Sequence, residues 1–566
     1  MKKIDIMLDS INELFCNNGY ASHVKDEKIE LSLDILGEAV KINVSIPENY
    51  PYSFLEVMLS EKNKLSFKVP HMIIGNRLCL FDEGSDRHDY KKYHAIALET
   101  IERAINLLQI SKKGVNSSEY HHEFLDLWGK NQIVNIYSMV ESYDKPLVLD
   151  SYFCESKNDD KNLYILAKSS QISMESVVNI IDNLSLNLKK VREKSVYLPI
   201  QNTKLTKPIE TVKELQVFLE NESCYPFFLR HLKKNMNNVL DFVILGIKND
   251  ELPIRSLIAL SLSNLVLPKG ELRKSNAYKG ILTANGSKEI SQYSVNDLSN
   301  TRVFTRGGSG ISNEPNKAAY VVGCGSLGSF ISKALSDTGD FSKFILHDNQ
   351  LLANENIGRH LCGLDCVGYF KSLSVSARIN SSYPAIEIQT LQHSFYQELL
   401  GKEENLLKKN YDVLIIATGD ENIEEEIIHF LEDRKLNKPT IIAWVEPFLI
   451  VGHALILNAN INEKTKQYIF GSNGNINIGV ISNPEQFSKA EAGCQSRFMP
   501  YSGFEMQLFS QNLVDQLITK GFLNKPGNYH YSWFGKMKEA RKNDIEMLPQ
   551  WSSRNDREIY INRIDE

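Results

Sequence analysis

Hydrophobic and polar residues alternate at Ile29, Leu31, Leu33 and Ile35, and again at Val40, Ile42, Val44 and Ile46. This is the period-two pattern of strands buried on one face. Leu36-Gly37-Glu38 supplies the turn between them, and a third run, Leu55, Val57 and Leu59, follows Pro47-Glu48-Asn49-Tyr50-Pro51. Residues 3–17 read as a short helix, and Leu98, Ile101, Ile105 and Leu108 return at helical spacing. Residues 1–130 are therefore expected to form a helix, an antiparallel meander and a second helix.

Residues 131–300 contain strand-like and helix-like stretches, such as Asn162-Leu163-Tyr164-Ile165-Leu166-Ala167 and Pro253 to Leu267, but no recognisable chemistry. They are assigned to a connecting domain of unknown role. Beyond the Gly307–Gly310 punctuation, Ala318-Ala319-Tyr320-Val321-Val322 is a buried strand, and strands then alternate with helices as in a parallel α/β sheet. Residues 301–566 thus form a third domain. The longest apolar stretch, Thr440 to Leu457, is interrupted by Glu446, Pro447, Gly452 and His453, so it predicts two buried strands joined by a turn and no membrane span.

Composition narrows the class. A chain of 566 residues with 42% hydrophobic and 24% charged positions is expected to be a multidomain globular protein. Its net charge of -6 argues against a nucleic-acid-binding surface. The N-terminal residues lack the features of a secretory signal, and the 8 cysteines show no CxxC pairing. Free thiols in the cytoplasm and no structural zinc are expected.

Gly323-Cys324-Gly325-Ser326-Leu327-Gly328 follows the first strand of the third domain and opens a helical run, the setting in which GxGxxG binds phosphate. Asp348 ends the next strand, where a carboxylate accepts hydrogen bonds from ribose hydroxyls. To this point an NAD-dependent oxidoreductase fits equally well. Asn356, Arg359 and Lys371 then follow within one short segment, and Asp420 ends the strand Val413-Leu414-Ile415-Ile416-Ala417-Thr418. Two cations and a carboxylate around a phosphate turn suit a triphosphate with Mg²⁺, and nucleotidyl transfer rather than hydride transfer.

At these residues the chain resembles the adenylation domain of ubiquitin-activating enzymes and their bacterial ThiF/MoeB relatives. The resemblance implies a Rossmann-like fold and ATP-binding roles for Gly323, Gly325, Gly328, Asp348, Asn356, Arg359, Lys371 and Asp420, with Asp420 holding Mg²⁺. Arg359 and Lys371 would also be catalytic. One departure is Gln350, where the family usually carries a second Asp. Family members often complete each other's ATP site with an arginine, which implies a homodimer and points to Arg302 or Arg306.

An acyl adenylate is readily captured by a thiolate. Cys494, in Ala492-Gly493-Cys494-Gln495-Ser496-Arg497, lies downstream of Asp420 and ahead of the helical run Met506 to Ile518, where the activating enzymes keep their catalytic thiol. Cys79, in Arg77-Leu78-Cys79-Leu80-Phe81 after the meander, is similarly placed to the thioester cysteine of the ubiquitin-conjugating fold. The resemblance offers Asn76 as an oxyanion donor and Asp82 or Glu83 to orient the amine. A degenerate, inactive adaptor domain is the alternative.

A conjugating-type domain ahead of an activating-type domain resembles the bacterial fused enzymes of CBASS antiphage systems, the CD-NTase-associated protein two family. This implies adenylation of the C-terminal glycine of a CD-NTase, relay through Cys494 and Cys79, and ligation to a target amine or lysine. The same chemistry on a bacterial ubiquitin-like protein is a second reading, and a non-catalytic scaffold a third. Four further features are given bland readings: His121 to Trp128 as a helix docking on the first domain, His453 as a groove or core histidine, Glu421–Glu426 as a solvated helix start, and Cys362 and Cys366 as packing residues.

Overall fold

The computed structural model describes residues 3–82, 86, 89–116, 119, 125, 128, 135–141, 143–157, 163–168, 174–205, 207–234, 241–248, 254–262, 265, 277–307, 316–400, 409–434, 438–471, 476–490 and 497–566. The chain divides into two compact units, one comprising residues 1–136, 142–151 and 192–296, the other 137–141, 152–191 and 297–566. The connecting region 131–300 is thus shared between them.

In the first unit the meander is as expected. Lys28–Ile35 pairs antiparallel with Glu38–Ser45, and that strand with Glu56–Leu59, which meets the short strand Arg77–Leu78. Ile29, Leu31, Leu33 and Ile35 share the buried face with Val40, Ile42 and Val44. They do so because alternate side chains of a strand fall on one side. Helices Lys3–Asn17 and Tyr93–Lys112 cover that face with Leu8, Ile11 and Phe15 and with Ala97, Ile101, Ala104 and Leu108. A second core lies farther along. The end of strand Leu186–Ile200 runs parallel to Phe242–Lys248, which continues antiparallel into Arg255–Ser261 and Ser291–Asp297. Trp128 corrects one expectation: it is buried in this second core, with its indole Nε1 donating to Ala259 O at 3.2 Å, and does not dock on the first domain. His121 and His122 lie outside the described residues.

The second unit is built on an eight-stranded sheet in the order Glu387–Leu391, Phe341–His347, Lys317–Val322, Val413–Ile416, Thr440–Val445, Val451–Leu457, Asn528–Phe534, Ile559–Arg563. The first five strands are parallel and the last three antiparallel. The sheet is therefore mixed, not wholly parallel. Thr440–Val445 and Val451–Leu457 form the expected hairpin. Lys317–Val322 lies centrally, with the second strand on one side and the fourth on the other, so the chain changes direction of travel at its carboxyl end. Open α/β sheets bind ligands at such a point. Among the described residues no helix is long and apolar enough to cross a membrane.

Inside the antiparallel half runs a buried polar chain. Glu446 accepts His453 Nε2 at 2.7 Å and the amides of Val480 and Ile481 at 2.6 and 2.8 Å. His453 Nδ1 lies 3.1 Å from both His530 Nε2 and Ser532 Oγ, and Tyr468 OH lies 2.8 Å from His530 Nδ1. His453 is thus a hydrogen-bonded core histidine, 1% exposed, and not a groove residue. Buried polar groups of this kind stabilise only when every partner is present. In the parallel half, His347 is buried between Tyr320 OH, 2.8 Å from Nδ1, and the His393 carbonyl, which accepts from Nε2 at 2.8 Å. Burial presses its pKa down from 6.5 to about 4.

Two outcomes follow. Glu446→Ala strips one imidazole and two amides of their acceptor and is expected to cost about 3 kcal/mol, read as a lower urea midpoint. For His347, the unfolded chain takes up a proton below pH 6.5 that the folded chain refuses until about pH 4, so stability declines as pH falls through that window. Urea midpoints measured from pH 7.5 to 4.5 should fall less steeply in His347→Gln than in the parent.

Candidate functional site

The turn after Lys317–Val322 exists because two of its glycines leave no room for a side chain. Gly323 has φ +85°, and a Cβ there would sit 2.5 Å from Ala417 O. A Cβ on Gly328 would lie 1.8 Å from Gly323 O. Gly325 instead faces open space and is the N-cap of helix Ser326–Asp337, whose first amides receive no side-chain cap. Uncapped amides at a helix start form an anion site.

Around this turn lies a cleft of about 560 Å³. Gly323, Gly325, Asp348, Asn356, Arg359, Lys371 and Asp420 all line it, and Gly328 packs beneath. Asp348 braces the turn: its Oδ2 accepts Cys324 N and its Oδ1 accepts Gln350 N, both at 2.8 Å. Each oxygen retains a lone pair for a ligand hydroxyl. Asn356 Oδ1 accepts Ala353 N at 3.1 Å and so fixes the short turn that presents Arg359.

The two cations are held without neutralisation. Lys371, 9% exposed, donates to Gln350 Oε1 at 2.7 Å, a neutral amide, and forms no ion pair with a described residue. Arg359 donates one guanidinium N–H to Met499 O at 3.3 Å and lies 4.9 Å over the Tyr501 ring. Its Nε is buried with no partner among the described residues. An unsatisfied buried donor is costly unless a ligand completes it.

Asp420 starts helix Glu421–Arg434, with Oδ1 accepting Asn422 N at 3.1 Å and Ile423 N at 3.4 Å, and Tyr396 OH 3.4 Å from both oxygens. The acidic run behind it is not wholly solvated. Glu424 turns one helical step inward and is 3% exposed, and burial, then Glu421 and Asp420, push its pKa up to about 8.

Residues the sequence reading passed over also line the cleft: His347, His393, Phe395, Tyr396, Trp444, Met499 and Tyr501. The signal for His347 and for the 393–396 group was position, since they sit at or just after the carboxyl ends of adjacent parallel strands. His347, His393 and Glu398 bring potential ligand atoms within 4.8 Å of one another. Both ring nitrogens of His347 are engaged within the protein, and Glu398 is held by Lys409 at 2.6 Å, so the trio reads as a hydrogen-bonded array. Cys362 is fully buried, with its thiol pushed up to about 12, and Cys366 is partly buried, consistent with packing.

In the first unit Cys79 is exposed at the end of strand Arg77–Leu78, its amide donating to His71 O at 2.7 Å. It lines a groove of about 480 Å³ with Phe54, Phe81 and Asp86. The Phe54 and Phe81 rings stack at 3.9 Å, and Asp86 Oδ2 accepts Arg103 at 3.1 Å and the Asp82 amide at 3.0 Å. Asn76, at φ +59°, is not among the described lining residues. Glu83 and Cys494 lie outside the described residues, as does the side chain of Arg306. Arg302 lies in helix Asn300–Gly307, beyond the residues that line the cleft. The short strands Lys489–Ala490 and Arg497–Phe498 that flank Cys494 pair antiparallel, and the chain continues directly into Met499 and Tyr501 on the cleft wall.

Comparison with known proteins finds a family match for a stretch of each unit. Residues 14–136 match the model of prokaryotic E2 family B, and residues 309–433 match the ThiF family. The ATP-dependent ubiquitin transferase-like protein Cap2 of Enterobacter hormaechei subsp. hoffmannii (strain UCI 50) is 30% identical over 115 residues, 20% of this chain and 19% of the relative. Cap2 of Pseudomonas aeruginosa (strain BWHPSA011 / Pa011) is 26% identical over 189 residues, 33% of this chain and 32% of the relative. The matches thus span a third or less of these curated relatives. Among solved structures, E. coli MccB with ATP is 17% identical, with 44% of this chain and 64% of that one covered at a TM-score of 0.29. PaaA is 16% identical, with coverage of 44% and 65% and a TM-score of 0.28. The chain therefore joins a domain of prokaryotic E2 family B to a ThiF domain, an arrangement of the Cap2 type.

Proposed function

We propose that this chain uses ATP to activate the C-terminal carboxylate of another protein and passes the acyl group through Cys494 and Cys79 to an amine. The observation that carries the reading is a pair of cations without a carboxylate partner among the described residues, the buried Lys371 and the half-buried Arg359 with its buried Nε, facing one cleft with an uncapped helix start. Such a site is electrostatically prepared for a triphosphate, and for the charge that builds on pyrophosphate as it leaves. The Cap2 relatives, named as ATP-dependent ubiquitin transferase-like proteins, support the same assignment.

The chemistry balances at each step. A carboxylate oxygen attacks the α-phosphorus, pyrophosphate departs, and Lys371 and Arg359 stabilise the charge it carries away. The Cys494 thiolate then attacks the acyl carbon and releases AMP, and Cys79 takes the acyl group by thioester exchange. Amine attack forms the amide while Cys79 leaves as a thiolate. Cys494 stands five residues before Met499, so an extended chain reaches at most about 18 Å from the cleft wall. The Asp420 carboxylate, with lone pairs to spare, fits a hard divalent cation, and Mg²⁺ there would offset phosphate charge.

We further assign a CD-NTase with a C-terminal glycine as the carboxylate donor, a lysine as acceptor, a cytoplasmic setting and a homodimer. The working domain division is 1–130, 131–300 and 301–566.

Lys371→Ala is expected to slow exchange of pyrophosphate into ATP by about a hundredfold, a loss of roughly 2.7 kcal/mol of transition-state stabilisation. Incubating Cys494→Ser and Cys79→Ser proteins with ATP and cell extract should trap the donor as an oxyester, visible by mass. If neither variant traps a protein while exchange persists, the relay is refuted and adenylation alone stands.

A further inference from the structure

Beyond the phosphates, the cleft carries a device for reading the base. In an open α/β sheet the phosphates lie at the turn after the first strand and the ribose at the carboxylate ending the second, so the base lies over the end of the strand beyond. Here the second strand ends at Asp348, and its outer neighbour Glu387–Leu391 ends beside it, with Asp348 N donating to Leu391 O at 3.0 Å. The loop leaving that neighbour puts His393, Ser394, Phe395 and Tyr396 on the cleft wall.

His393 is fixed from two sides. Its ring Nε2 lies 2.7 Å from Glu398 Oε1, and Glu398 is itself 7% exposed with Oε2 accepting Lys409 Nζ at 2.6 Å. Its main-chain carbonyl accepts His347 Nε2 at 2.8 Å. A neutral imidazole that donates Nε2–H to a carboxylate has its lone pair on Nδ1. Nδ1 has no hydrogen-bond partner among the described residues.

We infer that His393 determines base specificity, with Nδ1 accepting a hydrogen bond from the 6-amino group of adenine. Guanine presents an acceptor oxygen at the same position and would set lone pair against lone pair. Glu398 and Lys409 are positioning residues, which hold the acceptor nitrogen toward the ligand. The assignment rests on the reading that a nucleoside triphosphate occupies this cleft.

The test is a ligand–mutant cycle on the full chain. Isothermal titration compares ATP, GTP and purine riboside triphosphate, which lacks only the 6-amino group, against the parent and His393→Ala. The parent should bind ATP about tenfold more tightly than purine riboside triphosphate, the scale of one hydrogen bond, and more tightly than GTP. In His393→Ala, ATP and purine riboside triphosphate should bind within about twofold of each other. Glu398→Gln, which keeps the imidazole but loosens its anchor, should give an intermediate ratio. If the parent prefers ATP and the ratio is the same in His393→Ala, the role of His393 is refuted while the ATP reading survives. Loss of every nucleotide in His393→Ala also overturns the role, since the residue would then be structural. If the parent binds none of the three nucleotides, the ATP reading itself falls, and this inference with it.

Discussion

The cleft depends on how closely the chain approaches itself at the end of its central strand. Gly323 and Gly328 let the turn lie against Ala417 and against its own carbonyl at distances no Cβ permits. That approach sets the start of helix Ser326–Asp337 over the switch point of the sheet, and Asp348 ties the turn to the second strand through the Cys324 amide. The remaining side chains are added to this frame. Arg359 and Lys371 come from the crossover between the second and third strands, and Asp420 from the end of the fourth.

The electrostatic balance of the site is unusual for a folded interior. Most buried cations are paired with carboxylates, because a lone buried charge is costly. Lys371 meets an amide, and the buried Arg359 Nε meets nothing among the described residues. The nearby carboxylates are engaged elsewhere: Asp348 in backbone bonds, Asp420 in starting a helix, and Glu424 shifted toward its neutral form. The fold thus holds an excess of donors, and this excess is what an incoming polyanion would satisfy.

Much of this was legible in the sequence, for reasons that differ by residue. The meander could be read because one buried face imposes strict alternation at Ile29 to Ile35 and Val40 to Val44. The glycine turn, Asp348 and Asp420 could be read because each sits at the end of an apolar strand. His393 and Tyr501 could not, since nothing local marks a loop residue that only the sheet order brings to the cleft. Trp128 was misplaced because an amphipathic pattern shows that a face is buried but not against which neighbour. The antiparallel additions Asn528–Phe534 and Ile559–Arg563 escaped notice because a buried strand has the same apolar sequence whichever way its neighbour runs.

The glycine turn also contains a thiol, Cys324, fully buried and with its pKa pushed well above the ordinary value by that burial. Such a sulfur is almost never a thiolate, and oxidants attack thiolates. Cys79, by contrast, is open to solvent. On the proposed chemistry the two halves of the reaction would then differ in redox tolerance. Peroxide that oxidised the open Cys79 would stop transfer to the amine while leaving the thiol of the glycine turn, and with it carboxylate activation, untouched.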